Sequence, residues 1–262
     1  MKQVSSTGVS GTRVSGIGGR WTSWGLIKTL WTKFWRDAHQ VPSLAWRRWA
    51  ETLLIGLGLG ATLVAGITRY AQTAETAWLK AWDERWLPIA AESAPLSFAK
   101  SITWESPGNL LIALPLVLVF IGIMVWRSKP LIAATTAAAY VLQFALVWVG
   151  WGLWHRQRPQ LIADGIAASS LHSFPSGHTV IVVAVYGFMA YLWLRAASNW
   201  LERATVLGVY GVFAFRIITA RLVLGAHWPS DVVAGLILGL FWLVVVITAF
   251  NRAEGMTRRA RT

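Results

Sequence analysis

The chain has 262 residues, 55% of them apolar and only 13% charged, with 18 Trp. That is more apolar surface than an ordinary soluble domain buries, so lipid is the expected solvent. The formal net charge of +13 does not point to nucleic acid, because the Lys and Arg sit between apolar runs instead of forming one patch. With no cysteine, disulfides and thiolate metal sites are excluded.

Residues 1–20 are rich in Ser, Gly and Thr and read as a flexible tail. Residues 21–49 interleave Trp21, Trp24, Trp31, Trp35, Trp46 and Trp49 with Lys28, Lys33, Arg36, Arg47 and Arg48, which suits an amphipathic segment in a headgroup region. Together they form a basic, Trp-rich N-terminal segment, 1–49, with no cleavable signal, since the first long apolar run begins only near Ala50. Six apolar segments follow, near 50–69, 110–126, 131–154, 179–195, 204–221 and 232–250. Each is close to the ~20 residues a helix needs to cross the hydrocarbon. Lipid offers backbone groups no partners, so these segments are expected as helices, with Pro115 a tolerated kink in the second. Gly56 with Gly60, and Gly235 with Gly239, are spaced for close helix approach within one bundle.

In the connection 70–109, Trp78, Trp82 and Trp86 recur every four residues, which predicts an amphipathic helix on the membrane surface, a structural collar. The fold class expected is therefore all-α integral membrane: a six-transmembrane-helix bundle (50–250) with an interfacial helix region between the first two spans and a basic tail at 251–262.

Lys and Arg alternate between connections. They concentrate in 1–49, 127–130, 195–203 and the C-terminal tail, whereas 70–109 carries Glu75, Asp83, Glu84, Glu92 and Glu105. Cytoplasmic segments retain positive charge, so both termini are expected in the cytoplasm and 70–109, 155–178 and 222–231 outside.

The outward connections hold three polar clusters beside apolar helices, where a functional site is the default hypothesis. In Pro175-Ser176-Gly177-His178 a turn runs into a helix whose first N–H groups are available to an anion. Gly177 allows close backbone approach, Ser176 can cap the helix and donate to phosphate, and His178 can pass a proton to a leaving oxygen. Capping beside an incidental interfacial His accounts for this turn equally well. In Arg221-x5-His227-x3-Asp231 the carboxylate can reach one imidazole nitrogen, fixing the tautomer and leaving the other nitrogen to attack phosphorus. A structural His–Asp pair at a helix start is the alternative. Arg158 and Arg221 offer planar donor forks for phosphate oxygens. Arg156 and His155 have two readings, further donors or interfacial anchors.

Arg158-Pro159, Pro175-Ser176-Gly177-His178 and Arg221-x5-His227-x3-Asp231, in this order and each beside a membrane helix, resemble the type 2 phosphatidic acid phosphatase superfamily, which includes bacterial acid phosphatases and vanadium haloperoxidases. The resemblance covers roughly 156–235 in motifs and 50–250 in layout. It implies that His227 forms a phosphohistidine, Asp231 orients it, and His178 protonates the leaving group and then activates water. Arg158, Ser176, Gly177 and Arg221 would bind phosphate, with no metal and no cofactor. Two positions depart from the family pattern: Trp151 stands where Lys is usual, with Arg156 as a possible substitute, and Ala220 stands where Ser is common.

The function implied is a lipid phosphate or pyrophosphate phosphatase of a bacterial cytoplasmic membrane, its site facing the periplasm, with membrane lipids and no nucleic acid as partners. Undecaprenyl pyrophosphate, phosphatidic acid and phosphatidylglycerophosphate are the expected substrates. The alternatives are a lipid-to-lipid phosphotransferase, an anion channel or transporter, and an inactive binding relative.

Overall fold

A computed structural model describes residues 23–162, 165 and 172–260. The segment 1–20, expected as a tail, and Trp21 and Arg261 lie outside these residues. Among the described residues every regular element is helical.

The amphipathic helix α1 (Ser23–Ala38) exposes Trp24, Trp31 and Trp35. Then α2 (Ser43–Ser93) runs unbroken through a π turn at Glu75–Leu79, followed by α3 (Phe98–Gly108) and α4 (Leu110–Trp126). Four further long helices complete the bundle: α5 (Pro130–Leu153), α6 (Gly177–Ala196), α7 (Trp200–Val223) and α8 (Pro229–Arg259). Among the described residues five helices are long and apolar enough to cross a membrane, and a sixth crossing forms if α3 and α4 count as one broken span.

Three details differ from the sequence reading. The first span begins at Ser43 rather than near Ala50, because Trp46 and Trp49 turn inward and donate to the Ala38 carbonyl and the Thr135 hydroxyl. The Trp78–Trp86 stripe is not a separate surface helix but a continuation of α2. Finally, α4 passes through Pro115 uninterrupted, and the 47° bend falls instead at Asn109. Residues outside a helix's hydrogen-bond ladder absorb a bend more cheaply than residues within it.

Helix α8 is the axis of the bundle. Its inner face (Leu238, Trp242, Val246, Phe250) packs against Leu53 and Val64 of α2, Leu146 of α5 and Val180 and Phe188 of α6. Small residues set the spacing. A Cβ on Gly235 would stand 2.9 Å from the Ser176 carbonyl oxygen and from the Thr179 Cβ, and one on Gly239 would stand 2.8 Å from the Val183 Cβ. Gly56 and Gly60 seat α2 against Val245, Leu146 and Phe241 in the same way. The close packing lies inside one bundle, and it holds the first turns of α6 and α8 together.

The two ends of the bundle differ in charge. At one end Lys33 donates to Ser128 (2.6 Å), Arg252 to Thr52 (3.2 Å) and Arg195 to Glu254 (2.6 Å). At the other end lie the first turns of α6 and α8 and the last turn of α7. Gly235→Ala should lower the thermal midpoint in detergent by an amount equivalent to about 1–3 kcal/mol of overpacking. Gly58→Ala, whose Cβ would meet nothing within 4 Å, should not lower it.

Candidate functional site

Helix ends set the positions of the polar side chains. After α7 the chain turns through Gly225, whose φ of 61° is left-handed backbone open to glycine at little cost. His227 follows in that short connection. Pro229 then occupies the first turn of α8, and the Asp231 carboxylate reaches back to accept the Trp228 N–H at 2.8 Å. The position of Asp231 is therefore fixed by the way its own helix begins.

Asp231 is fully buried and uses both oxygens. Oδ2 accepts from Trp228 N and from the Ser173 hydroxyl and faces His227 Nδ1 at 3.5 Å, while Oδ1 accepts from Arg156 Nη1 at 2.7 Å. The His227 contact is longer than a formed hydrogen bond, as is common for such pairs before substrate arrives. His227 is 2% exposed. Burial lowers its pKa to about 4, against the opposing pull of Asp231 and with added repulsion from Arg221 and Arg158. A ring with so low a pKa is uncharged at neutral pH, and the Asp231 carboxylate facing Nδ1 favours the tautomer with its proton there, which leaves a lone pair on Nε2.

On the facing side His178, at the start of α6, places Nε2 2.8 Å from Asn109 Oδ1. Asn109 is the residue at which the chain bends between α3 and α4. A Cβ on Gly108 would stand 2.5 Å from the His178 ring, so a side chain there would displace the imidazole. The same segment brings Glu105 into an ion pair with Arg221, which is 6% exposed and whose Nε has no hydrogen-bond partner among the described residues. Arg158 donates Nη1 to the Ala226 carbonyl at 2.8 Å, just before His227, and Nη2 to the His172 carbonyl at 3.4 Å. Burial lowers its pKa, Asp231 acting against this.

Ser176 stands at the N-cap of α6, but its side chain does not cap the helix as the sequence suggested. Its Oγ accepts from Thr179 Oγ1 at 3.1 Å, and its N–H donates to the Asp231 carbonyl at 3.1 Å. A Cβ on Gly177 would meet only Val147 and Trp151, at 3.7 and 3.8 Å. Trp151 lies along this turn with its Nε1 3.3 Å from the Pro175 carbonyl. An indole bracing the Pro175–Gly177 backbone thus occupies the position where Lys was expected.

Arg156 does not substitute for that lysine. It is 4% exposed; Nη1 donates to Asp231 and to Ser230 Oγ (both 2.7 Å), and Nη2 to Asp83 (2.6 Å) and Glu75 (2.9 Å). Trp154 and Trp228 cover the guanidinium, at 4.7 and 5.6 Å. Burial disfavours its charge, but Asp231, Asp83 and Glu75 outweigh that and raise its pKa. Asp83 also accepts from Ser230 N (2.9 Å) and Oγ (2.6 Å).

Two of these carboxylates come from α2, and the π turn aligns them. Glu75 and Asp83 are eight residues apart, which in a regular helix puts them about 80° apart around the axis. One extra residue absorbed in a π turn reduces this to about 20°. Sequence periodicity assumes a regular helix, so Glu75 and Asp83 read, like Glu105, only as outward acidic residues and were not legible as site residues; Ser173, Ser230 and Asn109 carried no signal of their own. Among the described residues, no group of three or more His, Asp or Glu is arranged to hold a metal ion.

The fold and this pocket together define a multi-pass helical membrane protein with paired imidazoles and guanidiniums at one end of its bundle. Residues 130–254 match the sequence profile of the PAP2 superfamily. It is 34% identical over 84 residues to a lipid A 1-phosphatase of Rhizobium johnstonii, a match covering 32% of this chain and 30% of that one. It is 36% identical to an acid phosphatase of Zymomonas mobilis, covering 32% and 31%. The chain thus matches about a third of the length of these curated relatives. A transmembrane PAP2-type phosphatidylglycerolphosphate phosphatase of Bacillus subtilis has the same fold, with a TM-score of 0.56 and 24% identity over 72% of this chain and 94% of that one.

Arg156→Ala would leave the Asp231 and Asp83 carboxylates buried without their cation. A loss of about 3–5 kcal/mol is expected for breaking such a pair, measurable as a lower thermal midpoint in detergent.

Proposed function

We propose that this chain is a membrane phosphatase that hydrolyses a lipid phosphate or pyrophosphate through a phosphohistidine on His227. The observation that carries this reading is the buried, uncharged imidazole of His227, backed by Asp231 and gathered with His178, Arg158 and Arg221 at one end of the bundle. A neutral imidazole with one nitrogen turned to a carboxylate has its other lone pair available for attack.

The chemistry follows in two balanced steps. His227 Nε2 attacks phosphorus, the bond to the leaving oxygen breaks, and His178, which takes up a proton once the phosphate anion sits beside it, gives that oxygen its proton. A water molecule then loses a proton to His178 and attacks the phosphohistidine, releasing inorganic phosphate and restoring His227. Asp231 stabilises the positive charge that develops on the His227 ring. Arg158, Arg221, Ser176 and the backbone at Gly177 hold the phosphoryl oxygens, whose charge redistributes during transfer. Arg221 meets Glu105 through Nη1, which leaves its Nε to donate to a phosphoryl oxygen.

A lipid substrate suits the surroundings. A 730 Å³ apolar groove runs between α2 and α8, bounded by Tyr70, Trp78, Trp82 and Ile237 and ending at Phe174 and Ser230 beside the pocket. It gives Trp78 and Trp82 a place in substrate binding as well as in a collar. Undecaprenyl pyrophosphate, phosphatidic acid, phosphatidylglycerophosphate and the lipid A 1-phosphate of the named relatives share the phosphate linkage this site would cleave. Charge supports an outward orientation: the end opposite the site carries Lys33, Arg195 and Arg252, and cytoplasmic ends retain positive charge. Both termini would then be cytoplasmic and the site would face the outer side of a bacterial inner membrane.

Purified protein in detergent should release phosphate from a lipid phosphate with chelator present, and His227→Ala should lower turnover by at least about 10³-fold while the thermal transition persists. Phosphate release unaffected by His227→Ala would rule the mechanism out. Because the neutral ring is the nucleophile and its pKa lies near 4, kcat/KM should not fall as pH drops through 6.5 on account of His227. Its own acid limb belongs near pH 4. Gly66 lines the groove with open space beyond it, so Gly66→Phe should raise KM for a long-chain lipid phosphate several-fold and leave a soluble phosphomonoester unaffected.

A further inference from the structure

Asp83 belongs to α2, outside the matched residues 130–254, yet it is fully buried beside the pocket. Its two oxygens take three hydrogen bonds: the Ser230 N–H at 2.9 Å, the Ser230 hydroxyl at 2.6 Å and Arg156 Nη2 at 2.6 Å. Each partner is tied directly to Asp231. Ser230 is its chain neighbour in the first turn of α8, and Arg156 Nη1 lies 2.7 Å from Asp231 Oδ1. Glu75 Oε2, eight residues earlier on α2, holds the same Nη2 at 2.9 Å. Two carboxylates thus hold Arg156 from the side opposite Asp231.

Charge decides what this arrangement does. An arginine paired with Asp231 alone would draw the carboxylate's negative charge away from His227. With Asp83 and Glu75 on its other amino group, Arg156 is already neutralised and serves as a bridge. Asp231 keeps its electrostatic hold on the imidazole while both its oxygens remain hydrogen-bonded.

We propose that Asp83, with Glu75 assisting, is a positioning residue for phosphoryl transfer. Through Arg156 and Ser230 it fixes Asp231 and leaves that carboxylate's charge available to the His227 ring as the ring becomes cationic. This inference rests on the phosphohistidine reading above. Asp83 touches neither the phosphate nor His227, so its effect belongs to the step in which charge develops on the ring and not to ground-state phosphate binding. The charged groups acting on His227 are Asp231 on α8, Arg221 on α7 and Arg158 on the connection before α6, and the titratable His178 on α6 faces it; Asp83 acts on it only through Arg156, Ser230 and Asp231.

The test compares Asp83→Asn, Glu75→Gln and His227→Ala with wild type in detergent, using phosphatidic acid as substrate and inorganic phosphate and vanadate as inhibitors. Vanadate reproduces the bonded, trigonal-bipyramidal state and needs His227 as a ligand; inorganic phosphate needs only the arginines and backbone donors. Asp83→Asn should lower kcat about tenfold, leave KM within about twofold, and weaken vanadate inhibition about tenfold with phosphate inhibition unchanged. Glu75→Gln, at a position 29% exposed, should move the same quantities in the same direction by less. Equal weakening of both inhibitors, a change confined to KM, or wild-type behaviour would overturn the proposal. If Asp83→Asn does not fold, Glu75→Gln is judged by the same criteria. Undiminished turnover in His227→Ala would overturn the phosphohistidine reading and this inference with it. Loss of turnover there with unaltered Asp83→Asn kinetics would overturn this inference alone.

Discussion

The polar end of this molecule depends on a guanidinium that water scarcely reaches. Arg156 is 4% exposed and meets three carboxylates, two from α2 and one from α8. Removing such a charge from water costs several kcal/mol, recovered only when its partners are close and its hydrogen bonds are made. Four of them are made here at 2.9 Å or less. Meeting that requirement fixes the axial and rotational register of α2 against α8. It also holds the connection between α5 and α6, so the remaining polar groups have settled neighbours.

The small residues act on the same region from the apolar side. Gly235 presses the backbone of α8 against Ser176 and Thr179, and the Ser176 N–H meets the Asp231 carbonyl at 3.1 Å. The first turns of α6 and α8 therefore form one unit, held by packing below and by hydrogen bonds above. His178 and His227 reach the pocket from the two sides of this unit, and the α3–α4 bend covers it with Glu105 and Asn109. The apolar architecture and the polar network constrain each other.

Much of the fold was legible in the sequence because lipid imposes a simple code. Runs of apolar residues near 110–126, 131–154, 179–195, 204–221 and 232–250 each became a helix, with ends shifted by no more than four residues except in α8, which runs nine residues further, to Arg259. The gathering of Arg158, Ser176, His178, Arg221, His227 and Asp231 at one end was legible too, because each lies within a few residues of a helix end and the ends alternate. The acids of α2 were hidden for a physical reason. Whether Glu75 and Asp83 face solvent or the bundle depends on the π turn between them, which regular helical periodicity does not contain. The partners of Arg156 were not legible either, because two of its three carboxylates, Glu75 and Asp83, come from α2. The bend expected at Pro115 lies at Asn109 instead, because the helix continues through the proline.

Helix α2 has 51 residues, about 76 Å of rod at the usual rise per residue, more than twice the ~30 Å hydrocarbon thickness. The same rod that crosses the bilayer carries Glu75 and Asp83 to the pocket. A thinner or thicker bilayer is met mainly by tilting such a helix, and the tilt would carry anchors and pocket together. The height of the chemistry above the lipid tails is thus set by the length of one covalent strut, and changes in membrane composition would reach it as a rigid rotation instead of a deformation.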